Sequence, residues 1–159
     1  MSSLEIVRQM MAYNYAFQSR LWESIMTLTD GQFVADIPYS QGSIRNHMVH
    51  LATTDGGWLR GLKEEPDARH HRHDPADYPT REGARALCEG AAGEVMAYIE
   101  GLDEAALGRQ PQGLPLTVWQ TLLHLVNHGT DHRAQVLRAL HDMGAPTFDQ
   151  DLVFHYLKR

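Results

Sequence analysis

Thr117-Val-Trp-Gln-Thr-Leu-Leu-His-Leu-Val-Asn-His-Gly-Thr-Asp-His-Arg-Ala-Gln-Val-Leu-Arg-Ala-Leu140 reads as one long helix. Its apolar residues fall along one face when the stretch is wound at the helical period. Thr117 with Gln120 offers a capping box at its start, and Gly144 and Pro146 stop it. Through this helix run His128 and His132. An i, i+4 pair projects from one face, about 40° apart around the axis. Two imidazoles so placed can reach one metal ion, with a third ligand supplied from elsewhere. An amphipathic helix of this length needs partners of the same kind, and the rest of the chain supplies them.

Upstream, Ser2 with Glu5 makes a second capping box. Behind it Val7, Met10, Met11, Phe17, Leu21, Ile25 and Leu28 recur at three- and four-residue steps, the stripe of a first helix that Asp30-Gly31 ends. After a loop from Pro38 to Gly42, Ser43 caps a second helix carrying Ile44, Met48, Leu51, Ala52, Leu59 and Leu62. From Glu64 to Pro79 the chain is polar and holds three prolines, which makes it a long connection. Thr80 caps a third helix with Ala84, Leu87, Cys88, Ala91, Val95, Tyr98, Ile99 and Leu102. Gly108, Pro111, Gly113 and Pro115 mark the loop before the fourth, and Phe148 to Lys158 can form a short closing helix. No segment alternates with a period of two. The pattern predicts an all-α fold, a four-helix bundle with a short C-terminal helix. The middle connection is long enough to run the length of the bundle, which lets the second and third helices lie parallel.

At 159 residues the chain fits one domain, residues 1–159, with a single core. The formal charge is −6, from 20 acidic and 14 basic residues, and no basic cluster stands out, so nucleic acid is not the expected partner. One cysteine, Cys88, excludes an intrachain disulfide and fits a reducing compartment. No run reaches membrane-spanning length and the N-terminus has no apolar signal core. The expectation is a soluble cytoplasmic protein that does not bind membranes. Ten histidines are many for this length, and they cluster.

Three polar residues interrupt the apolar faces: Asn14 in the first helix, Asp55 in the second and Arg133 in the fourth, beside Gly129. Polar groups at core positions are costly without partners. One reading is a buried Asp55–Arg133 ion pair that fixes register, with Asn14 bonded to a backbone carbonyl. The other makes these residues supports or substrate contacts of a metal site. Gly129 lets another helix approach closely.

On the fourth helix the pair His128/His132 faces inward better than His124/His128. His-Glu-x-x-His is absent, and no cysteine spacing suggests a zinc finger. On the second helix, periodicity prefers His47 over His50 as the inward residue. His70-His71-Arg72-His73 falls in the polar connection and reads as a solvated loop.

Two segments carry a resemblance. Ser43-Ile-Arg-Asn-His-Met-Val-His50-Leu-Ala-Thr-Thr-Asp55-Gly-Gly-Trp58-Leu and, far downstream, Asn127-His128-Gly-Thr-Asp-His132-Arg-Ala-Gln135 resemble the DinB/YfiT-like family of metalloenzymes. Asn14 and the ending Asp151-Leu-Val-Phe-His-Tyr156 also match its pattern. Ala134 departs from it, standing where many members have glycine. The resemblance implies an up-down-down-up bundle, a homodimer, and a divalent ion, often nickel or zinc, on three histidines. Matched residue by residue, these are His50, His128 and His132. The helix-two ligand of the family precedes an acidic or polar position by five residues and an aromatic by eight. His50 meets that rule through Asp55 and Trp58, and His47 does not.

Three imidazoles leave coordination positions open for water or substrate, as catalytic sites do. The resemblance implies chemistry of a thiol-dependent S-transferase or hydrolase type on a small molecule, with a low-molecular-weight thiol as partner. Asn14 and Arg133 are then candidates to orient a substrate group, and Asp55 a candidate support. The alternatives are a metal-binding stress-response protein without turnover and a helical interaction module.

Overall fold

Every capped stripe found in the sequence becomes a helix in the computed structural model, which describes residues 1–157. The long elements are α1 (Ser3–Ile25), α3 (Ile44–Leu62), α4 (Arg81–Glu100) and α5 (Val118–Asp142), and the short ones are α2 (Asp30–Val34) and α6 (Leu152–Tyr156). Among the described residues there is no strand. The caps act as read. The Ser2 hydroxyl accepts from the Glu5 N–H while Glu5 accepts from the Ser2 N–H. Ser43 caps α3 and Thr80 caps α4 in the same way through the N–H groups of Asn46 and Gly83. Gln120 accepts from the Thr117 N–H at the start of α5.

Which ends meet gives the topology. The start of α1 lies by the end of α4, where Arg8 donates to the carbonyls of Glu100 and Leu102. The start of α4 lies by the end of α1, where Arg81 donates to the carbonyls of Met26 and Leu28 and pairs with Asp30. One half of the core joins Leu21, Trp22 and Ile25 to Ile44, Met48, Cys88, Val136 and Leu140. The other joins Leu4, Val7 and Met11 to Leu59, Leu62, Val95, Ile99, Val118 and Leu122. So α1 and α5 run one way and α3 and α4 the other: up, down, down, up. The connection after α3 covers the bundle's length, folding two 3-10 turns, Ala68–His70 and Pro75–Asp77, on the way. Each fully buried Leu or Ile contributes roughly 1.5–3 kcal/mol, so packing of four stripes outweighs the modest helix propensity of any one.

The end of the first helix differs from expectation. The helix stops at Ile25, and Asp30-Gly31 opens α2 instead of closing α1. Thr29 and Gln32 form a capping box there, and Phe33 is buried against Trp22. The closing helix ends inside the expected tail, whose Lys158 lies outside the described residues. Among the described residues no helix is long and apolar enough to cross a membrane.

Candidate metal centre

His128 and His132 sit one turn apart on α5, with ring centroids 4.5 Å apart. His50 reaches them from antiparallel α3, its ring 5.0 Å from His128 and 4.8 Å from His132. One ring nitrogen from each of the three lies within 4.8 Å of the others. The Nε2 atoms of His50 and His128 face each other at 3.1 Å. Two nitrogens on one tetrahedral ion, each about 2.0–2.1 Å from it, lie about 3.3 Å apart, so this spacing suits a shared cation. Among the described residues no other group of three or more histidine, cysteine or acidic side chains comes together in this way.

The electrostatics also suit a cation. Burial first, then the neighbouring rings, hold the pKa values of His128 and His132 down to about 4. Burial and His47 lower that of His50 as well. All three rings are therefore neutral at pH 7, with lone pairs available to a metal. The Nδ1 atoms of His128 and His132 are buried and bond to no group among the described residues. The outer hydrogen bond that usually orients a metal-bound histidine is missing at both. Helix spacing and ring-on-ring packing hold these side chains instead.

His47 is in the core but outside this group. Its ring packs 5.6 Å from that of His132, and both of its nitrogens are engaged, Nδ1 by the Ser43 carbonyl at 2.7 Å and Nε2 by Gln135 Oε1 at 3.1 Å. The wheel's preference for it was right about inwardness. The cluster needs access too, and His50 has that access. His124 extends the α5 row, 5.7 Å from His128, and its ring meets Trp58 edge-on at 5.1 Å.

A cleft of about 650 Å³ opens beside the cluster. His50, Thr54 and Trp58 line it from α3, and Leu114 and Pro115 close it from the loop before α5. Its size is that of small-molecule sites, about 300–1,000 Å³.

Asn14, Asp55 and Arg133 are 1%, 3% and 0% exposed, and none of them lines this cleft. The expected Asp55–Arg133 ion pair does not form. Arg133 donates Nη1 to the Asn14 carbonyl and side-chain oxygens, Nη2 to Thr130 Oγ1 at 3.1 Å and Nε to Gln150 Oε1 at 3.1 Å. Asp55 accepts instead from the Tyr15 hydroxyl at 3.1 Å. Burial raises the Asp55 carboxyl to about 7, with Tyr15 and Arg133 pulling the other way. Gly129 makes room for this network: a Cβ there would stand 2.4 Å from Asn14 Oδ1. Gln150 and Tyr15 had no signal in the sequence, because neither breaks a helical pattern. The connection is less solvated than read. His71 Nδ1 accepts from Arg60 Nε at 3.0 Å, and His73 bonds the Tyr78 hydroxyl. Cys88 is buried, donates to the Met48 carbonyl, and has its thiol pKa pushed far up by burial, which removes it as a nucleophile.

The chain matches the DinB family over residues 1–157. This chain belongs to the DinB family. No curated protein matches it. Family membership and the three-histidine cluster together fit a metal-binding DinB-like protein.

Proposed function

We propose that this DinB-family protein is a metal-dependent enzyme in which His50, His128 and His132 hold one divalent ion, nickel or zinc, and catalyse thiol-dependent S-transfer to a small electrophile. The observation that supports it is one arrangement: three neutral imidazoles with nitrogens inside 4.8 Å, bordering a cleft that His50 itself lines. Neutral imidazole sets suit both metals. A bound ion would supply Lewis acidity and lower the pKa of a thiol or water in an open position.

The chain's own residues divide the remaining work. Burial keeps the three rings unprotonated at neutral pH. Trp58, Leu114 and Pro115 exclude water from one side of the cleft. Asn14 and Arg133 tie α1 to α5, and Asp55 with Tyr15 ties α3 to α1, so these three candidates support the site by fixing helix register rather than by touching substrate. Among the described residues no Asp or Glu lines the cleft. The chain thus offers no carboxylate base there, which favours a nucleophile that ionises readily, a thiol, over water. Hydrolysis is the second form of the same reading, with water in the thiol's place. A homodimer belongs to this proposal through the family resemblance alone, and a reducing, cytoplasmic location through the single cysteine.

The test uses metal-loaded, tag-free protein with a panel of low-molecular-weight thiols and monochlorobimane or a chloro-nitroaromatic. Conjugate formation that requires the metal and disappears in His128→Ala is the expected result. No turnover with any thiol, and no thiol-dependent thermal shift, would leave a metal-binding stress-response or interaction protein without catalysis.

A further inference from the structure

Among the described residues the cleft beside His50 carries a cation that the metal reading does not use. Arg72, from the connection between α3 and α4, lines the same cavity. It donates Nη1 to the His71 carbonyl at 2.6 Å and belongs to none of the ion pairs among the described residues. Arg60, Arg81, Arg85, Arg109 and Arg138, by contrast, each pair with a carboxylate. The chain has 20 acidic residues against 14 basic ones, yet among the described residues no acidic side chain lines this cleft. An unpaired guanidinium beside a cavity free of carboxylates is an anion site by composition.

The backbone that carries Arg72 is fixed in place. The His71 ring sits directly over Gly56 of α3, where a Cβ would stand 2.5 Å from His71 Nε2. Arg60 clamps the other side of that ring and is itself held by Glu65 at 2.9 Å. Thr53 adds a second polar group: it lines the cleft, and its buried hydroxyl has no partner. Around these groups the walls are apolar, with Trp58 and Leu114 the largest.

We infer that the cleft binds an organic carboxylate with an apolar, aromatic-sized body, its carboxylate paired with Arg72 and its reacting end toward His50. This rests on the proposed function only for which end reacts. The carboxylate belongs either to the thiol or to the electrophile, and the two sources are separable.

Titration calorimetry compares hydrocinnamate with its neutral amide, and glutathione with its diethyl ester. Wild type, Arg72→Gln and Arg72→Lys are measured both metal-free in chelator and zinc-loaded. In metal-free wild type one acid binds about tenfold or more tighter than its neutral partner, the effect of one charge-assisted hydrogen bond. Arg72→Gln abolishes that preference with unchanged melting and metal content, and Arg72→Lys keeps part of it. A preference in the glutathione pair assigns the carboxylate to the thiol, and one confined to the hydrocinnamate pair assigns it to the electrophile. No preference in either pair, or one that survives Arg72→Gln, overturns the inference. So does a preference seen only with zinc, which means the ion reads the carboxylate; the metal reading then stands. An Arg72-dependent preference in protein that takes up no zinc when zinc is supplied sinks the metal reading and leaves this one standing.

Discussion

Two groups of polar side chains interrupt the same core, and they are built in opposite ways. The group around Arg133 is closed. Asn14, Thr130, Gln150 and the arginine satisfy one another, with Asn14 and Arg133 buried, and Asp55 takes the Tyr15 hydroxyl beside them. The histidine group is open. Its nitrogens face each other, two Nδ1 atoms have no partner, and a cleft reaches His50. The ring nitrogens of the open group converge instead of pairing with acceptors, an arrangement that suits a shared cation. The closed group needs nothing further and serves register. Substitutions in the closed group should therefore cost stability, and those in the open group should cost metal.

Arg133→Met gives the largest effect. Removing the arginine leaves acceptors on Asn14, Thr130 and Gln150 without their donor, at about 1–3 kcal/mol for each one that stays buried. Urea unfolding measures it, and a loss under about 1 kcal/mol, within the range of an ordinary surface change, would show that the network is not closed.

Asp55→Asn sharpens the comparison through pH. Its carboxyl is raised to about 7 in the folded chain against 3.8 unfolded. The folded state therefore holds that proton more tightly, and its contribution is full below pH 4 and lost as pH rises through 7. The difference reaches up to about 4 kcal/mol. The histidines act in the other direction, because their lowered values destabilise the metal-free fold as pH falls from 6.5 toward 4. Comparing wild type with Asp55→Asn from pH 4 to 8 isolates the aspartate. The substituted protein should lose the decline between pH 4 and pH 7, and identical slopes would contradict the assignment.

In the open group, His50→Ala, His128→Ala or His132→Ala each lowers metal affinity by more than about 100-fold, the most that losing an outer-shell partner costs. Metal-free stability changes little. His47→Ala, whose nitrogens are engaged by Ser43 and Gln135, stays within about tenfold, at or below the low end of that outer-shell range. Competition titrations with a chromophoric chelator measure all four, and equal losses for His47 and His50 would erase the boundary between ligand and neighbour. Gly129→Ala is the smallest test. Its methyl meets Asn14 Oδ1 and costs about 1–3 kcal/mol of overpacking, leaving metal content unchanged.

Legibility followed the range of the forces involved. The four long helices were readable because stripe, cap and stop are local, as Ser2 with Glu5 and Thr117 with Gln120 demonstrate. The five-residue α2 was missed, since one turn is too short to show a period, although Thr29, Gln32 and Phe33 carried its cap and its anchor. His47 and His50 were hard to separate on a wheel because both approach His132. Burial alone favours His47; the family pattern, through Asp55 and Trp58, pointed to His50, and the converging nitrogens and the cleft distinguish it in the structure. Arg133 was legible as a buried cation, but its partners were not. Charge pointed to Asp55, and the structure supplies neutral oxygens from Asn14 and Gln150, one of them beyond the end of α5. Arg72 had no local signal, since only the docking of His71 on Gly56 brings its segment to the cleft.

The most direct test of the open group is metal analysis of tag-free protein reconstituted and desalted, wild type beside the variant with all three of His50, His128 and His132 changed to alanine. Mass spectrometry should find about one divalent ion per chain in the first and none in the second. A triple variant that keeps the wild-type content, or a wild type that retains no ion, would contradict the account.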